Sequence, residues 1–363
     1  MVRGPKKLGG IMKKFFIFIF IFFTFNYYSF SNYSEEESDY LEKIKNNDSE
    51  AMNDLGILYY NQERYELAEK YYIMAIKNNN SGAMSNLGLL YEEQGKYDLA
   101  EKYYLMAIKG NISGAMNNLG TLYYQQKKYE PAEKYYLMAI KENNSDSNVM
   151  HNLGLLYYQQ KKYDLAEKYY LMSIKENNVS AMYNLGVLYD SQEKYNQAER
   201  YYLMAIKENN NSAMYNLGLL YYNQEKYELA EKYYLMAIKS NHIDAINNLG
   251  LLYDKQGKYK LAEEYYLRAI KENDSGAMLN LGSLYYNQKK YELAEKYYFM
   301  AVEENNSGAM YNLGLLYYNQ EKYDYAEKYL KMALTHGHKN AEILLDNIKI
   351  EIKNKISKKE IIS

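Results

Sequence analysis

Residues 247–273 read NNLGLLYDKQGKYKLAEEYYLRAIKEN, and residues 215–241 read YNLGLLYYNQEKYELAEKYYLMAIKSN. The two stretches lie 32 positions apart and keep the same class of residue almost throughout. Their central Leu-Gly pair recurs, with leucines at 55, 87, 119, 153, 185, 217, 249, 281 and 313, so the period is 32 with one step of 34. A fixed period of this size marks a stack of supersecondary units rather than a closed globule. The two extra residues fall in KENNSDSNVMHNLG, residues 141–154, between two units where a loop tolerates insertion.

One copy, residues 81–112, shows what each unit is. Ala83, Met84, Leu87, Gly88, Leu90 and Tyr91 fall on one side of a helix at 3.6 residues per turn. Ser81 is the expected N-cap, with equivalents at Ser49, Ser113, Ser147, Ser180, Ser212, Ser275 and Ser307. The helix is expected to end near Gln94, where Gly95 suits a tight connection. A second helix follows from about Tyr97 to Lys109, with Leu99, Ala100, Tyr103, Tyr104, Ala107 and Ile108 on its apolar arc. Pro131 falls in the first turn of this helix in its copy, where proline is accepted. Gly88 and Ala100 are read as small residues that let the paired helices approach.

Leu87-Gly88, Tyr91, Ala100, Tyr104 and Ala107 reproduce the spacing L-G-x2-Y…A-x3-aromatic…A, and the chain resembles the tetratricopeptide repeat family on that basis. Two departures stand out: Met84 replaces the family's frequent tryptophan, and the proline near the repeat end is absent. The phrase GAMNNLG and the short link are also similar to Sel1-like repeats. The resemblance implies an all-α solenoid of nine tandem helix-turn-helix repeats over residues 49–337, wound as a right-handed superhelix. Tyr40, Leu41 and Ile44 repeat the spacing of Tyr104, Leu105 and Ile108, so residues 32–48 are expected to hold an N-terminal capping helix. Residues 338–363 are expected to form a C-terminal capping helix with a basic tail, because Asp346 takes the glycine slot and lysines crowd the residues after it. Solenoids need such polar ends.

The first residues differ in kind from the repeats. Met12-Lys13-Lys14, the apolar run Phe15–Phe23, and Ser29 and Ser31 form the pattern of a secretory signal cleaved after Ser31. Export to a periplasm, a cell surface or the medium is therefore expected, with cell-envelope association one outcome. A tether through an uncleaved segment is the alternative, although the run is shorter than the ~20 apolar residues that span a bilayer.

Composition narrows the function. With 44 basic and 46 acidic residues and a net charge of −2, the chain lacks the basic excess of a nucleic-acid binder. Without cysteine it has no disulfide, thiolate metal site or thiol nucleophile. His151 and His242 lie in different copies, His336 and His338 share a polar loop, and no phosphate loop, HExxH or Ser/His/Asp pattern is present. No enzyme activity, metal or small-molecule cofactor is expected.

A binding face is suggested by what the first helix carries opposite its core side. The residue after each glycine reads Ile57, Leu89, Thr121, Leu155, Val187, Leu219, Leu251, Ser283 and Leu315, where a helix facing only water should be polar. Tyr60, Tyr124, Tyr158, Tyr222, Tyr286 and Tyr318 flank this row on one side, and Tyr183, Tyr215 and Tyr311 on the other. In the resembled family this face lines a concave groove, so a protein or peptide partner is the expected ligand. Burial between neighbouring copies is the competing reading of the same row. A column of Asn86, Asn118, Asn152, Asn184, Asn216, Asn248, Asn280 and Asn312 could grip a peptide backbone or satisfy groups between helices. Methionines at 74, 106, 138, 172, 204, 236, 300 and 332 read as adaptable packing on the second helix. Asn79-Asn80-Ser81, Asn111-Ile112-Ser113 and Asn178-Val179-Ser180 match glycosylation triplets only formally, since each serine already reads as a cap. Glycan binding on the tyrosine rows and self-assembly through the outer face or the ends are the other readings of the surface.

Overall fold

The computed structural model describes residues 35–112, 114–143 and 146–362. The expected signal, residues 1–31, and the expected cap Ser113 lie outside the described residues. Among those described, the secondary structure is helical and no strand occurs. The chain divides into two compact units, Met1–Asn178 and Val179–Ser363.

In the first unit, a helix over 35–44 precedes four hairpins: Ser49–Asn61 with Tyr65–Lys77, Ser81–Glu93 with Tyr97–Lys109, Gly114–Gln125 with Tyr129–Glu142, and Ser147–Gln159 with Tyr163–Lys175. The second unit holds five: Val179–Ser191 with Tyr195–Lys207, Asn211–Asn223 with Tyr227–Lys239, Asp244–Lys255 with Tyr259–Ile270, Ser275–Asn287 with Tyr291–Glu303, and Ser307–Asn319 with Tyr323–Thr335. A last helix, Ala341–Ile362, packs on the final hairpin. The nine repeats and the helix-turn-helix unit expected from the period are what the chain forms.

Each hairpin closes on one contact. A Cβ added at Gly88 would lie 2.7 Å from Cδ1 and Cε1 of Tyr104, and one at Gly218 would lie 2.7 Å from Cδ1 of Tyr234. The glycine is a notch, and the tyrosine ring of the second helix lies across it. The same pairing joins Gly56 to Tyr72, Gly120 to Tyr136, Gly154 to Tyr170, Gly186 to Tyr202, Gly250 to Tyr266 and Gly282 to Tyr298. In the last hairpin Leu330 takes the place of the ring against Gly314. Around the notch, Leu87, Leu90, Ala100 and Ala107 are fully buried, and their counterparts in the other repeats are at most 6% exposed.

The turn inside each hairpin needs one residue in the left-handed region. Gly95 and Gly257 supply it at φ 70° and 73°. Elsewhere a charged residue stands there, such as Glu63, Lys127, Glu225 or Lys289, with φ between 57° and 61°. A side chain in this conformation costs roughly 1–2 kcal/mol. The turn is then held by the hydrogen bond from the following amide back to the helix, as Lys226 N donates to Tyr221 O at 2.9 Å. Between repeats the same backbone region is taken by asparagine, including Asn79, Asn177, Asn209 and Asn305, the non-glycine residue most at home in it.

The helix starts differ from the expectation. The cap is the Asp or Asn one or two places earlier, and the serine is helical or precedes no cap bond of its own. Asn80 Oδ1 accepts from Ala83 N at 2.9 Å, Asn210 Oδ1 from Ala213 N at 2.8 Å, and Asp274 Oδ1 from Ala277 N at 2.9 Å. Asp48 and Asp146 each accept two amides, and Asn306 one. The Asx residue has the extended backbone that a cap requires, and Ser81, Ser147, Ser275 and Ser307 are already the first helical residue.

Polar side chains tie each repeat to the one before. Tyr91 donates to Glu69 at 2.8 Å, Tyr157 to Glu133 at 2.8 Å, Tyr253 to Glu231 at 2.8 Å and Tyr317 to Glu295 at 2.6 Å. Tyr59 makes the same bond to Glu37 at 2.7 Å, so the 35–44 helix stands where the second helix of a preceding repeat would. At the other end Ala341, Leu344, Leu345 and Ile348 are buried, while Ile343 and Ile350 face out.

Two comparisons test this account. Gly218→Ala replaces a helical glycine with a better helix former, yet it is expected to destabilise by about 1–3 kcal/mol in chemical denaturation because the Tyr234 ring must move. Asn210→Ala is expected to cost ~1 kcal/mol, and Ser212→Ala less than about 0.5 kcal/mol, if the asparagine is the cap.

Candidate functional site

Within each unit, successive first helices touch one another, as Ser49–Asn61 does Ser81–Glu93 and as Ser275–Asn287 does Ser307–Asn319. Successive second helices do not come so close. The first helices therefore form the inner side of each stack, and residues at one repeat position line up along it.

The row after the glycines lies on this side and is only partly covered. Leu89 and Leu251 are 38% and 36% exposed, and Leu155, Val187, Leu219 and Leu315 are half-buried, as are Ile57, Thr121 and Ser283. Exposure alone does not single the row out, because Leu99 and Leu261 on second helices are each 38% exposed. Charge does. Second helices alternate their leucines with Glu and Lys, as in YELAEKYYLMAIK at 227–239. First helices of the first unit carry Glu50, Asp54, Glu92 and Glu93 and neither Lys nor Arg, and those of the second unit carry Asp190, Asp244 and Asp254 against Lys255 alone.

The tyrosine column beside the row is anchored rather than loose. Tyr124, Tyr158 and Tyr222 are half-buried and lie on Tyr129, Tyr163 and Tyr227 of the partner helix, with ring centroids 6.1, 5.9 and 6.1 Å apart. Tyr60 donates to Glu93 of the next repeat, and Tyr286 accepts from Asn319 at 2.8 Å. Burial raises the phenol pKa of Tyr124 and of Tyr222 above the ordinary value, so both stay neutral donors over the physiological range.

The asparagine column forms a ladder between repeats. Asn86 Nδ2 donates to Asn53 Oδ1 at 2.9 Å, Asn118 to Ser85 Oγ at 3.4 Å, Asn152 to Asn117 Oδ1 at 3.1 Å, and Asn280 to Asn247 Oδ1 at 3.0 Å. In the second unit Asn216 donates to the Tyr183 hydroxyl at 3.0 Å and Asn248 to that of Tyr215 at 2.8 Å. The acceptor is the residue two before the Leu-Gly pair of the preceding repeat. Where that residue is Leu279, Asn312 turns instead to Ser283 Oγ at 3.4 Å. Asn184 is half-buried at the equivalent position. One donor of each bonded amide thus serves the stack, and Tyr183 and Tyr215 on the other flank are its acceptors.

Three residues interrupt the tyrosine column, and of these the sequence reading singled out only Asp190, as a polar partner of Tyr183 for a glycan. Glu92, Asp190 and Asp254 occupy it where other copies have Tyr60, Tyr124 or Tyr222. Two of them meet the ring that fills the glycine notch: Tyr104 donates to Glu92 at 2.8 Å and Tyr202 to Asp190 at 3.4 Å. Burial raises the Asp190 carboxyl pKa, partly offset by the Tyr202 hydroxyl, and burial alone raises that of Asp254. Comparing the copies position by position, rather than counting tyrosines, would have revealed Glu92 and Asp254.

The histidines take part in packing. His242 stacks on Tyr215 at 4.5 Å and His338 on Tyr311 at 4.4 Å, while His151 lies 6.0 Å from Tyr170. Among the described residues no group of three or more His, Asp or Glu could hold a metal ion, and no helix is long and apolar enough to cross a membrane. The methionines of the second helix are half-buried, and Arg268 at the same position is exposed.

A tetratricopeptide repeat model matches residues 53–115, 117–181, 183–243 and 247–309, and a second model of that description matches 308–335. The chain belongs to the tetratricopeptide repeat family. No curated protein matches it. Similar solved structures include c5321, a protective antigen of uropathogenic Escherichia coli strains displaying an SLR fold, at 18% identity over 86% of this chain and 82% of that one, with a TM-score of 0.41. The pilF protein of Pseudomonas aeruginosa is 25% identical over 52% of this chain and 89% of its own, with a TM-score of 0.47. A Sel1 repeat protein from Oxalobacter formigenes is 24% identical over 53% and 89%, with a TM-score of 0.44.

The raised pKa of Asp254 has a definite sign. Its folded value lies above the ordinary 3.8, so the folded state holds the proton more tightly and the ionised side chain costs stability. The cost is absent below the unfolded value, grows as pH rises to the folded value, and is constant above it. Asp254→Asn is therefore expected to raise the melting temperature at neutral pH and to leave it unchanged near pH 3, measured by circular dichroism.

Proposed function

We propose that this tetratricopeptide repeat protein is an exported scaffold whose first-helix face binds a peptide segment of a protein partner. The observation that carries the reading is the contrast between the two faces. Within each unit nearly all of the first-helix face is uncharged, with Leu89 and Leu155 in the first and Val187, Leu219, Leu251 and Leu315 in the second flanked by tyrosines and asparagines, although the hairpin cores close without these side chains. Contiguous, partly exposed apolar surface of this kind is characteristic of interaction sites, and tyrosine supplies contact area at low entropic cost.

In this reading apolar side chains of the partner sit against the row after the glycines, beside Tyr124, Tyr158 and Tyr222. The second N–H and the carbonyl of Asn118, Asn152, Asn216 and Asn248 are placed at its edge for backbone groups. Export follows the N-terminal pattern, with Lys13, Lys14 and the run Phe15–Phe23 as a signal. The partner is then a protein of the cell envelope or the surrounding medium.

The test is selection of peptides from a random displayed library with the parent and with a variant carrying Leu155→Ser, Val187→Ser, Leu219→Ser and Leu251→Ser. Matched helix content by circular dichroism shows that the variant is folded, and Leu251→Ser alone replaces it if it is not. Peptides enriched by the parent are expected to be lost by the variant. Equal retention by both proteins, or no enrichment by the parent, contradicts the reading.

A further inference from the structure

The inner side of the second unit carries a chemistry that specifies the occupant of the groove, an inference that rests on the peptide-binding reading above. Its apolar row, Val187, Leu219 and Leu251, is bordered by the column Asp190, Tyr222, Asp254 and Tyr286. Both carboxylates are half-buried. Among the described residues neither takes part in an ion pair, and the Asp254 side chain makes no hydrogen bond. A partly desolvated carboxylate without a counter-charge is a cost that a folded chain does not ordinarily keep.

Tyr266 is wholly buried across Gly250, and its hydroxyl has no hydrogen-bond partner. Burial raises the phenol pKa of Tyr266, and the nearby Asp254 and then Tyr222 add to the shift. Its counterpart Tyr202 donates to Asp190, and Tyr298 to Ser283 at 3.3 Å. A partly exposed carboxylate without a counter-charge, set beside an apolar row, is complementary to a segment that carries a lysine or arginine next to apolar residues.

The rest of the face points the same way. Among the first helices of this unit the charged residues are Asp190, Asp244, Asp254 and Lys255, so a cationic segment meets one like charge. We propose that the first-helix face of the second unit binds an extended peptide that alternates apolar residues with lysine or arginine. The apolar residues lie on Val187, Leu219 and Leu251, and the cations on Asp190 and Asp254. Alternation suits an extended strand, whose successive side chains point to opposite sides. The partner is thus a basic, amphipathic protein segment.

The experiment is fluorescence anisotropy with three labelled peptides, in which leucine alternates with lysine, with glutamine or with glutamate, titrated with the full chain. The lysine peptide is expected to bind about tenfold more tightly than the glutamine peptide, and the glutamate peptide more weakly than either. Asp190→Asn and Asp254→Asn should each remove most of that preference without changing the glutamine peptide's affinity, and Asp324→Asn on a second helix should leave the preference intact. Equal binding of the lysine and glutamine peptides overturns the inference. So does a preference that survives both Asn variants, or one that Asp324→Asn weakens as much. In those cases the groove reading stands if Leu251→Ser still weakens the glutamine peptide. If none of the three peptides binds, the groove reading fails and the inference falls with it.

Discussion

Eight of the nine repeats close on a ring laid over a glycine. At Gly88 or Gly218 a single added methyl group would lie 2.7 Å from atoms of the Tyr104 or Tyr234 ring, so the glycine cannot change unless the ring shifts. The glycine lowers the helix propensity of the first helix, by about 1 kcal/mol against alanine, and the close approach of the two helices offsets this. The last hairpin shows the same constraint by exception, since Leu330 fills the notch of Gly314 where an aromatic ring stands elsewhere. The ring's position also sets the chemistry of the inner side. It carries the phenol through the hairpin, so that Tyr104 and Tyr202 present their hydroxyls to Glu92 and Asp190.

The stack then repeats one set of bonds between neighbours. Tyr91 to Glu69 and Tyr253 to Glu231 tie a first helix to the preceding second helix, and the asparagine ladder ties first helix to first helix. Because each repeat touches only its neighbours, stability accumulates along each unit and no single residue governs it. Variation is therefore cheapest at positions that make no such bond. Leu89, Leu155, Val187, Leu219 and Leu251 of the row after the glycines are such positions, and they are also only partly covered.

The fold was legible because its determinants are local and written many times over. The Leu-Gly spacing, the alanine at Ala100 and the ring at Tyr104 fix the hairpin, and the period fixes the stack. The helix caps were less legible, since serine, asparagine and aspartate rank alike at that position and NNS or NDS offers two or three candidates in succession. Only backbone geometry separates Asn80 from Ser81. The candidate site was legible in part. Leu155, Val187, Leu219 and Leu251 were placed opposite the core by helical periodicity alone. That Asn216 and Asn248 would spend a donor on Tyr183 and Tyr215 was not, because their acceptors lie a repeat away. The unpaired state of Asp254 likewise depends on how far Tyr266 and the neighbouring side chains reach, which no spacing states.

The notch, the ladder and the segregated charge make one face of each unit an apolar strip edged by phenols and a few carboxylates, and leave the other amphoteric. A binding function belongs to the first of these, and the most direct check is to find where a bound peptide lies. A leucine–lysine peptide carrying a photoreactive benzophenone, irradiated on the full chain and mapped by mass spectrometry, reads this out. Adducts confined to first-helix residues around Val187, Leu219 and Leu251 are the predicted result. Adducts on the second-helix leucines Leu229, Leu261 and Leu293 would contradict the account.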